Sequence, residues 1–239
     1  MQLAGKTVLV TGATDGIGAH LIRQLRDKGA MVIASGRNPE RCAATRADGF
    51  EVIEADLSAP AGIDALLAGL EDRPIDVLLN NAGAGTSYDF RTGEVDLAGA
   101  ERTYYLNLHA PTQLIARLMP VLKARGEAMI VNVTSGLAIA PSMAAVYCAS
   151  KAGLRSYTLA LRAQLKGTGI TVVEALPPLV DTQMTAGRGS NKMPPAECAR
   201  QIIAGMERGT ETINVGMVKL LQVVHSISPA LARSIMVRF

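Results

Sequence analysis

"VLVTGATDGIGAHL", residues 8–21, decides the fold. The short run "TVLV" (7–10) has the β-branched, apolar character of a buried strand, and glycines follow at 12, 16 and 18. That G-x-x-x-G-x-G spacing opens directly into a helical pattern. Glycine permits the tight turn and lets backbone N–H groups approach a pyrophosphate at the positive end of a helix. Glycines alone would mark only a turn. Set between a strand and a helix, they mark the phosphate loop of a βαβ unit, with Gly12, Thr14, Asp15, Gly16, Ile17 and Gly18 as its candidate ligand contacts.

The pattern repeats outward from this loop. Strand candidates fall at 31–35, 50–54, 75–80, 128–133, 170–175 and 212–215, several of them apolar nearly throughout. Helix candidates lie between them at 17–28, 39–46, 61–71, 97–123, 144–166 and 195–208. Alternating strand and helix predicts right-handed crossovers and a doubly wound, seven-stranded parallel sheet with helices on both faces. No repeat or linker divides the chain, so residues 1–239 read as a single Rossmann-like domain. The tail 217–239 is apolar with single charges, and Pro229 is placed to separate two helical pieces. Three roles are open for it: covering the sheet, making a subunit contact, or resting on a membrane surface.

Composition narrows the function classes. Apolar residues make up 49% of the chain, enough for a sizeable core without disulfides. The net charge is +3, with no basic block, so neither nucleic acid nor a membrane is an expected partner. Cys42, Cys148 and Cys198 are odd in number and widely spaced, which fits reduced thiols in a cytoplasmic protein. The N-terminus lacks the apolar run of a signal peptide, and no apolar run reaches membrane-spanning length. His20, His109 and His225 are isolated and show no ligand spacing, so no metal site is expected.

The second strand runs into "ASGRN" (34–38). In a doubly wound sheet this end faces the adenosine ribose, where an acidic residue binds the 2′-hydroxyl of NAD. No acid stands there, and Arg37 offers a planar fork to the 2′-phosphate of NADP. NADP(H) is therefore the expected cofactor and NAD(H) the alternative, with Asp15 pulling in the latter direction. Asp56, after the third strand and followed by Leu57, is placed to partner the adenine amino group.

"YCASK" (147–151) sets Tyr147 and Lys151 four residues apart, on one helix face. A neighbouring ammonium favours the phenolate and is expected to lower the tyrosine pKa towards neutrality. Such a phenol can give a proton to a carbonyl oxygen or take one from an alcohol, while a nicotinamide carries the hydride.

The motifs "TGATDGIG" (11–18), "DLS" (56–58), "NNAG" (80–83), "YYLN" (104–107), "IVNVTSG" (130–136) and "YCASK", in that order, resemble the short-chain dehydrogenase/reductase family over about the first 185 residues. "VTSGLA", "LRAQLKGTGI" and "PPLVDT" further resemble its bacterial DltE-like oxidoreductase branch. The resemblance implies that Tyr147 is the acid/base and that Lys151 also hydrogen-bonds the nicotinamide ribose. It implies that Asn107 holds a water linking Lys151 to solvent, and that Asn81, Ala82 and Gly83 line the cofactor. Asp76 is implied to brace the fourth strand. The carbonyl-polarising hydroxyl is either Thr134, by the family's thirteen-residue interval, or Ser135, by alignment on the strand; Ser135 is the preferred assignment. Adjacent strand residues face opposite sides, so one excludes the other.

"LPPLVDTQM" (176–184) departs from the family's Pro-Gly with Pro177-Pro178, which removes a flexible residue and an N–H. Val180 and Thr182 match positions touching the carboxamide. The segment about 183–195 has the small, polar make-up of a substrate lid, with Met184 and Met193 as apolar lining. The expected activity is NADP(H)-dependent interconversion of a small or medium apolar ketone or aldehyde and its alcohol, in a homodimer or homotetramer by family analogy. One alternative is a 3-oxoacyl-(acyl-carrier-protein) reductase, which calls for a basic patch such as Arg188 and Lys192. The other is a non-catalytic NADP-binding sensor.

Overall fold

The computed structural model describes residues 1–86, 88–187 and 189–237. Seven strands form one parallel sheet: β1 (Thr7–Val10), β2 (Met31–Gly36), β3 (Glu51–Glu54), β4 (Val77–Asn80), β7 (Ala128–Val133), β8 (Ile170–Leu176) and β9 (Thr212–Asn214). A two-stranded ribbon, β5 (Tyr88–Asp89) with β6 (Glu94–Val95), stands apart from it. The order in the main sheet is β3-β2-β1-β4-β7-β8-β9. The chain therefore winds one way from β1 to β3, then restarts at β4 on the other side of β1. A crevice opens at the C-terminal ends of β1 and β4, the switch point where such sheets bind ligands.

Helices α1 (Gly16–Asp27), α2 (Pro39–Ala47) and α7 (Pro195–Glu207) cover one face. Helices α3 (Pro60–Leu70), α5 (Ala110–Lys123) and α6 (Ala145–Gln164) cover the other. Strand residues alternate between the two cores. Val8 and Val10 of β1 pack with Leu21, Ile22 and Leu25 of α1, while Leu9 packs on the side of Leu66, Leu114 and Ile115. This two-sided burial is why the central strands read as continuous apolar runs. Asp76 braces β4 as expected: its carboxylate accepts the Thr7 N–H at 2.8 Å and the Arg125 Nε–H at 2.8 Å. Burial would raise that carboxyl's pKa, but these two donors hold it below its ordinary value.

The expected helix 97–123 is not continuous. It divides into α4 (Leu97–Tyr104), a π-helical turn at Tyr105–His109, and α5. Pro111 explains the break: it has no N–H for the carbonyl of residue 107, and its ring crowds that carbonyl. The tail forms α8 (Val218–Ile227) and α9 (Pro229–Met236), with Pro229 in the first turn of α9. Val218 and Leu221 lean on the turn at Gly136, whereas Met217, Leu220, Val223, Ile227 and Leu231 stay exposed. Among the described residues, no helix is long and apolar enough to cross a membrane.

Candidate active site

An open cleft of about 470 Å³ lies over the switch point. Gly12, Thr14, Asp15, Gly16 and Ile17 line it from the phosphate loop, and Arg37, Asp56 and Leu57 from the ends of β2 and β3. Asn81, Ala82 and Gly83 line it after β4, and Ser135, Tyr147 and Lys151 beyond β7. Pro177, Val180 and Thr182 close the far side. Two expected site residues lie behind the wall instead: Gly18 and the fully buried Asn107.

The phosphate loop is built by close approach. At Gly12 the backbone φ is +61°, and a Cβ there would stand 2.7 Å from the Ala82 Cα. At Gly18 a Cβ would stand 2.0 Å from the Gly12 carbonyl oxygen, so no side chain fits. Asp15 caps α1, its carboxylate accepting the Gly16 N–H at 2.7 Å. The Asn81 side chain turns into the loop rather than out to a ligand, donating to the Thr11 and Gly12 carbonyls at 3.1 and 3.0 Å. The Thr11 hydroxyl in turn accepts from the Asn81 and Ala82 N–H groups, each at 3.1 Å. A glycine cradle at a helix N-terminus, faced by arginine, fits a dinucleotide with a phosphate on its adenosine ribose.

At the other end of the cleft, Thr134 and Ser135 face opposite ways. The Thr134 hydroxyl donates to the Glu174 carboxylate at 2.8 Å, behind the strand. The Ser135 hydroxyl faces the cleft, accepts the Leu137 N–H at 3.1 Å, and reaches the Tyr147 phenol closely enough to pull its pKa down. Burial outweighs that pull and pushes the phenol above its ordinary value, with the Cys148 thiol adding to the rise.

The expected lowering of the phenol by Lys151 is therefore absent from this arrangement. The Lys151 ammonium donates to the Val133 carbonyl at 2.9 Å, and burial pushes its own pKa down to about 8. It is spent on its own desolvation and on β7.

Asn107 reaches the site through others. Its Oδ1 accepts the Ala84 N–H at 2.9 Å, and its amide donates to the Ala84 carbonyl and the Ser150 hydroxyl, both at 2.9 Å. Ser150 passes the link to the Tyr147 carbonyl at 2.8 Å. The Asn107 side chain is thus a strut between the segment after β4 and α6, and Pro111 has no N–H to offer its backbone carbonyl. Gly83 leaves the space that this requires, since a Cβ there would stand 3.2 Å from the Asn107 Oδ1 and 3.3 Å from the Lys151 Nζ.

The lid expectation divides. Val180 and Met193 form a bridge in which the Asp181 N–H donates to the Met193 carbonyl, and Met193 N–H to the Leu179 carbonyl, both at 2.9 Å. A 3-10 turn, Gln183–Thr185, follows over the cleft. Met184 lines the cleft, but Met193 packs against the core beneath and is no lining residue. Lys192 turns inward, donating to the Thr185 carbonyl at 2.6 Å, so it offers no basic surface; Arg188 lies outside the described residues.

Residues 6–193 match the family model for short chain dehydrogenase. The chain belongs to the short-chain dehydrogenase family. An uncharacterized oxidoreductase, DltE, of Bacillus subtilis is 39% identical over 187 residues, which cover 76% of this chain and 74% of that protein. A ketoacyl reductase, HetN, of Nostoc sp. is 33% identical over 95% of this chain and 86% of its own length. Among solved structures, a short-chain dehydrogenase from Sphingobium yanoikuyae in complex with NADPH superposes with a TM-score of 0.82. It is 29% identical, and the match covers 95% of this chain and 94% of that one.

Within this short-chain dehydrogenase, the cleft residues to which sequence reading gave no role include Asn38, Arg41 and Gln183. A signal for the first two was present in "NPER". An asparagine cap with proline in the first turn fixes α2 to begin there, and its side chain accepts the Arg41 N–H at 2.8 Å. Gln183 carried no such signal. Glu174, buried between Thr134 and Arg155, was also missed, because a lone acid inside an apolar strand announces no partner.

Proposed function

We propose that this oxidoreductase interconverts a ketone or aldehyde and its alcohol with NADP(H), NAD(H) being the poorer alternative. One observation carries the reading: the Ser135 and Tyr147 hydroxyls and the Lys151 ammonium share a cleft with a glycine cradle and Arg37. The NADPH named for the Sphingobium structure supports the cofactor.

The nicotinamide supplies the hydride in reduction and accepts it in oxidation. Ser135 donates a hydrogen bond to the carbonyl oxygen and strengthens it as negative charge develops. Tyr147, kept protonated by its burial, gives its proton to that oxygen, which completes the alcohol. Lys151, with a pKa of about 8, then returns a proton towards the phenolate. The Asn107 carbonyl holds the water that resupplies Lys151. Arg37 binds the 2′-phosphate, and Asp56 steadies Arg37 from 3.9 Å. At neutral pH a phenol raised above its ordinary value is in the protonated form that reduction uses. We place the enzyme in the cytoplasm, where its three buried cysteines stay reduced.

The substrate lining in hand, Met184 and Leu106 among it, is apolar, which points to an apolar carbonyl compound. A second reading, a 3-oxoacyl thioester, is favoured by the ketoacyl reductase named among the relatives. Paired calorimetric titration with NADPH and NADH, followed by turnover on a ketone panel and a 3-oxoacyl thioester, tests both. NADPH is expected to bind at least about tenfold tighter, or about 1.4 kcal/mol. Tyr147→Phe is expected to keep that binding and lose turnover. Binding without turnover in the parent protein would instead make it a sensor.

A further inference from the structure

Three chain segments meet at the adenosine end of the cleft, and one side chain joins them. Arg41 stands in the first turn of α2, and its Nη1 donates to the Asp15 carboxylate at 2.9 Å. Its Nη2 donates to the Gln183 side-chain oxygen, in the 3-10 turn over the cleft. Asp15 is itself fixed, since its other oxygen accepts the Gly16 N–H at 2.7 Å. The same 3-10 turn rests on the phosphate loop, because a Cβ at Gly16 would stand 3.0 Å from the Thr182 Cγ2. The turn is held internally by the Thr185 hydroxyl, which donates to the Val180 carbonyl at 2.6 Å.

Arg41 is not exhausted by these bonds. A guanidinium has five N–H donors in a fixed plane, and two are engaged among the described residues. Among the described residues, the other charged groups lining this end of the cleft are Arg37 and Asp56, 3.9 Å apart. Two arginines thus face two carboxylates, a balance that a phosphate dianion changes and a ribose hydroxyl does not.

We propose that Arg41 is a second reader of the 2′-phosphate, and that through Gln183 it ties recognition of NADP(H) to ordering of the Gln183–Thr185 turn. The inference rests on the NADP(H) reading above. With the phosphate on its free donors, Arg41 has fewer orientations open to it, and its bond to Gln183 becomes firmer. NAD(H) leaves Arg41 shared between Asp15 and Gln183 and transmits nothing to the turn. Arg41 acts as a specificity residue, and Gln183 as a positioning residue that works through it.

The test is a binding cycle rather than an activity. Dissociation constants for NADPH and NADH are measured by calorimetry on the parent protein, Arg37→Leu, Arg41→Leu, Arg41→Lys, Gln183→Leu and the Arg41→Leu/Gln183→Leu double variant. Hydrogen exchange of the peptide spanning 182–186 is followed with each cofactor. Arg41→Leu is expected to cut the NADPH preference by about tenfold, with NADH affinity unchanged within about twofold. Arg41→Lys, which keeps the charge and loses the fork, should fall between. Gln183→Leu should cost NADPH about threefold and nothing further once Arg41 is gone, as coupled residues do. NADPH should slow exchange of the turn in the parent protein, whereas NADH should not, and neither should do so in the variants.

An unchanged NADPH preference in Arg41→Leu, with the preference lost in Arg37→Leu, would overturn the inference and leave the NADP(H) reading standing. So would a Gln183 effect equal for both cofactors or fully additive with Arg41→Leu. A parent protein without NADPH preference would bring down the cofactor reading itself.

Discussion

Replacing Lys151 by methionine should make the cofactor-free protein more stable near neutral pH while abolishing turnover, and the gain should vanish as the pH rises. The buried ammonium has its pKa pushed from an ordinary 10.5 to about 8 by desolvation. At about 1.4 kcal/mol per pKa unit, holding the charge in the fold costs about 3 kcal/mol below pH 8. Methionine removes that cost but also loses the 2.9 Å bond to the Val133 carbonyl, worth about 1 kcal/mol. The net gain is therefore about 2 kcal/mol at pH 7.5. The direction with pH follows from proton counting. Between the folded value of about 8 and the unfolded value of 10.5, the unfolded chain binds more protons. Stability of the lysine protein accordingly rises with pH across that window. By pH 9.5 it recovers about 2 kcal/mol of the cost, and the two proteins should be nearly equally stable. Urea unfolding of both at half-unit intervals from pH 7 to 9.5 gives the difference, from which other titrating groups cancel. A difference that stays constant or grows over this range would refute the burial argument for Lys151.

Three further substitutions separate site from scaffold. Ser135→Ala should lower kcat by about a hundredfold with little loss of stability, whereas Thr134→Val should spare kcat and cost about 1–3 kcal/mol by stranding a Glu174 oxygen; ketone turnover and urea unfolding read the two. Glu174→Ala should cost about 3 kcal/mol in urea unfolding, because it leaves Arg155 without its carboxylate and the Thr134 hydroxyl on its longer 3.3 Å bond to the Ala175 carbonyl.

The features legible in the sequence are those whose causes are local. A β-branched run followed by glycines and a helical pattern places β1, the loop and α1 to within a residue, because backbone permission is written in the glycines themselves. Strand alternation sends Thr134 and Ser135 to opposite faces, so the sequence says that only one hydroxyl faces the cleft, while the preference for Ser135 rests on alignment with the family and not on alternation. The break at 105–109 was also written locally, in Pro111, although the long apolar period across 97–123 masked it. Arg41 and Gln183 are 142 residues apart, and no property of either position reports the other. Met193 illustrates the same limit, since its composition suits a substrate wall and the Val180 bridge turns it towards the core instead.

The Tyr147–Lys151 pair shows how far a correct motif can leave the chemistry undetermined. Spacing by four residues places both side chains on one face of α6, but charge acts over the distance and dielectric between groups, not over sequence. Desolvation raises the phenol and lowers the ammonium, so the two groups are displaced towards their neutral forms together. A neutral phenol suits proton donation, and an ammonium with a pKa of about 8 can release its proton near physiological pH. The pair is therefore better matched to handing a proton along a line than to holding a standing phenolate. On that reading, the loss of rate at high pH follows Lys151 rather than Tyr147, because the lysine runs out of protons first.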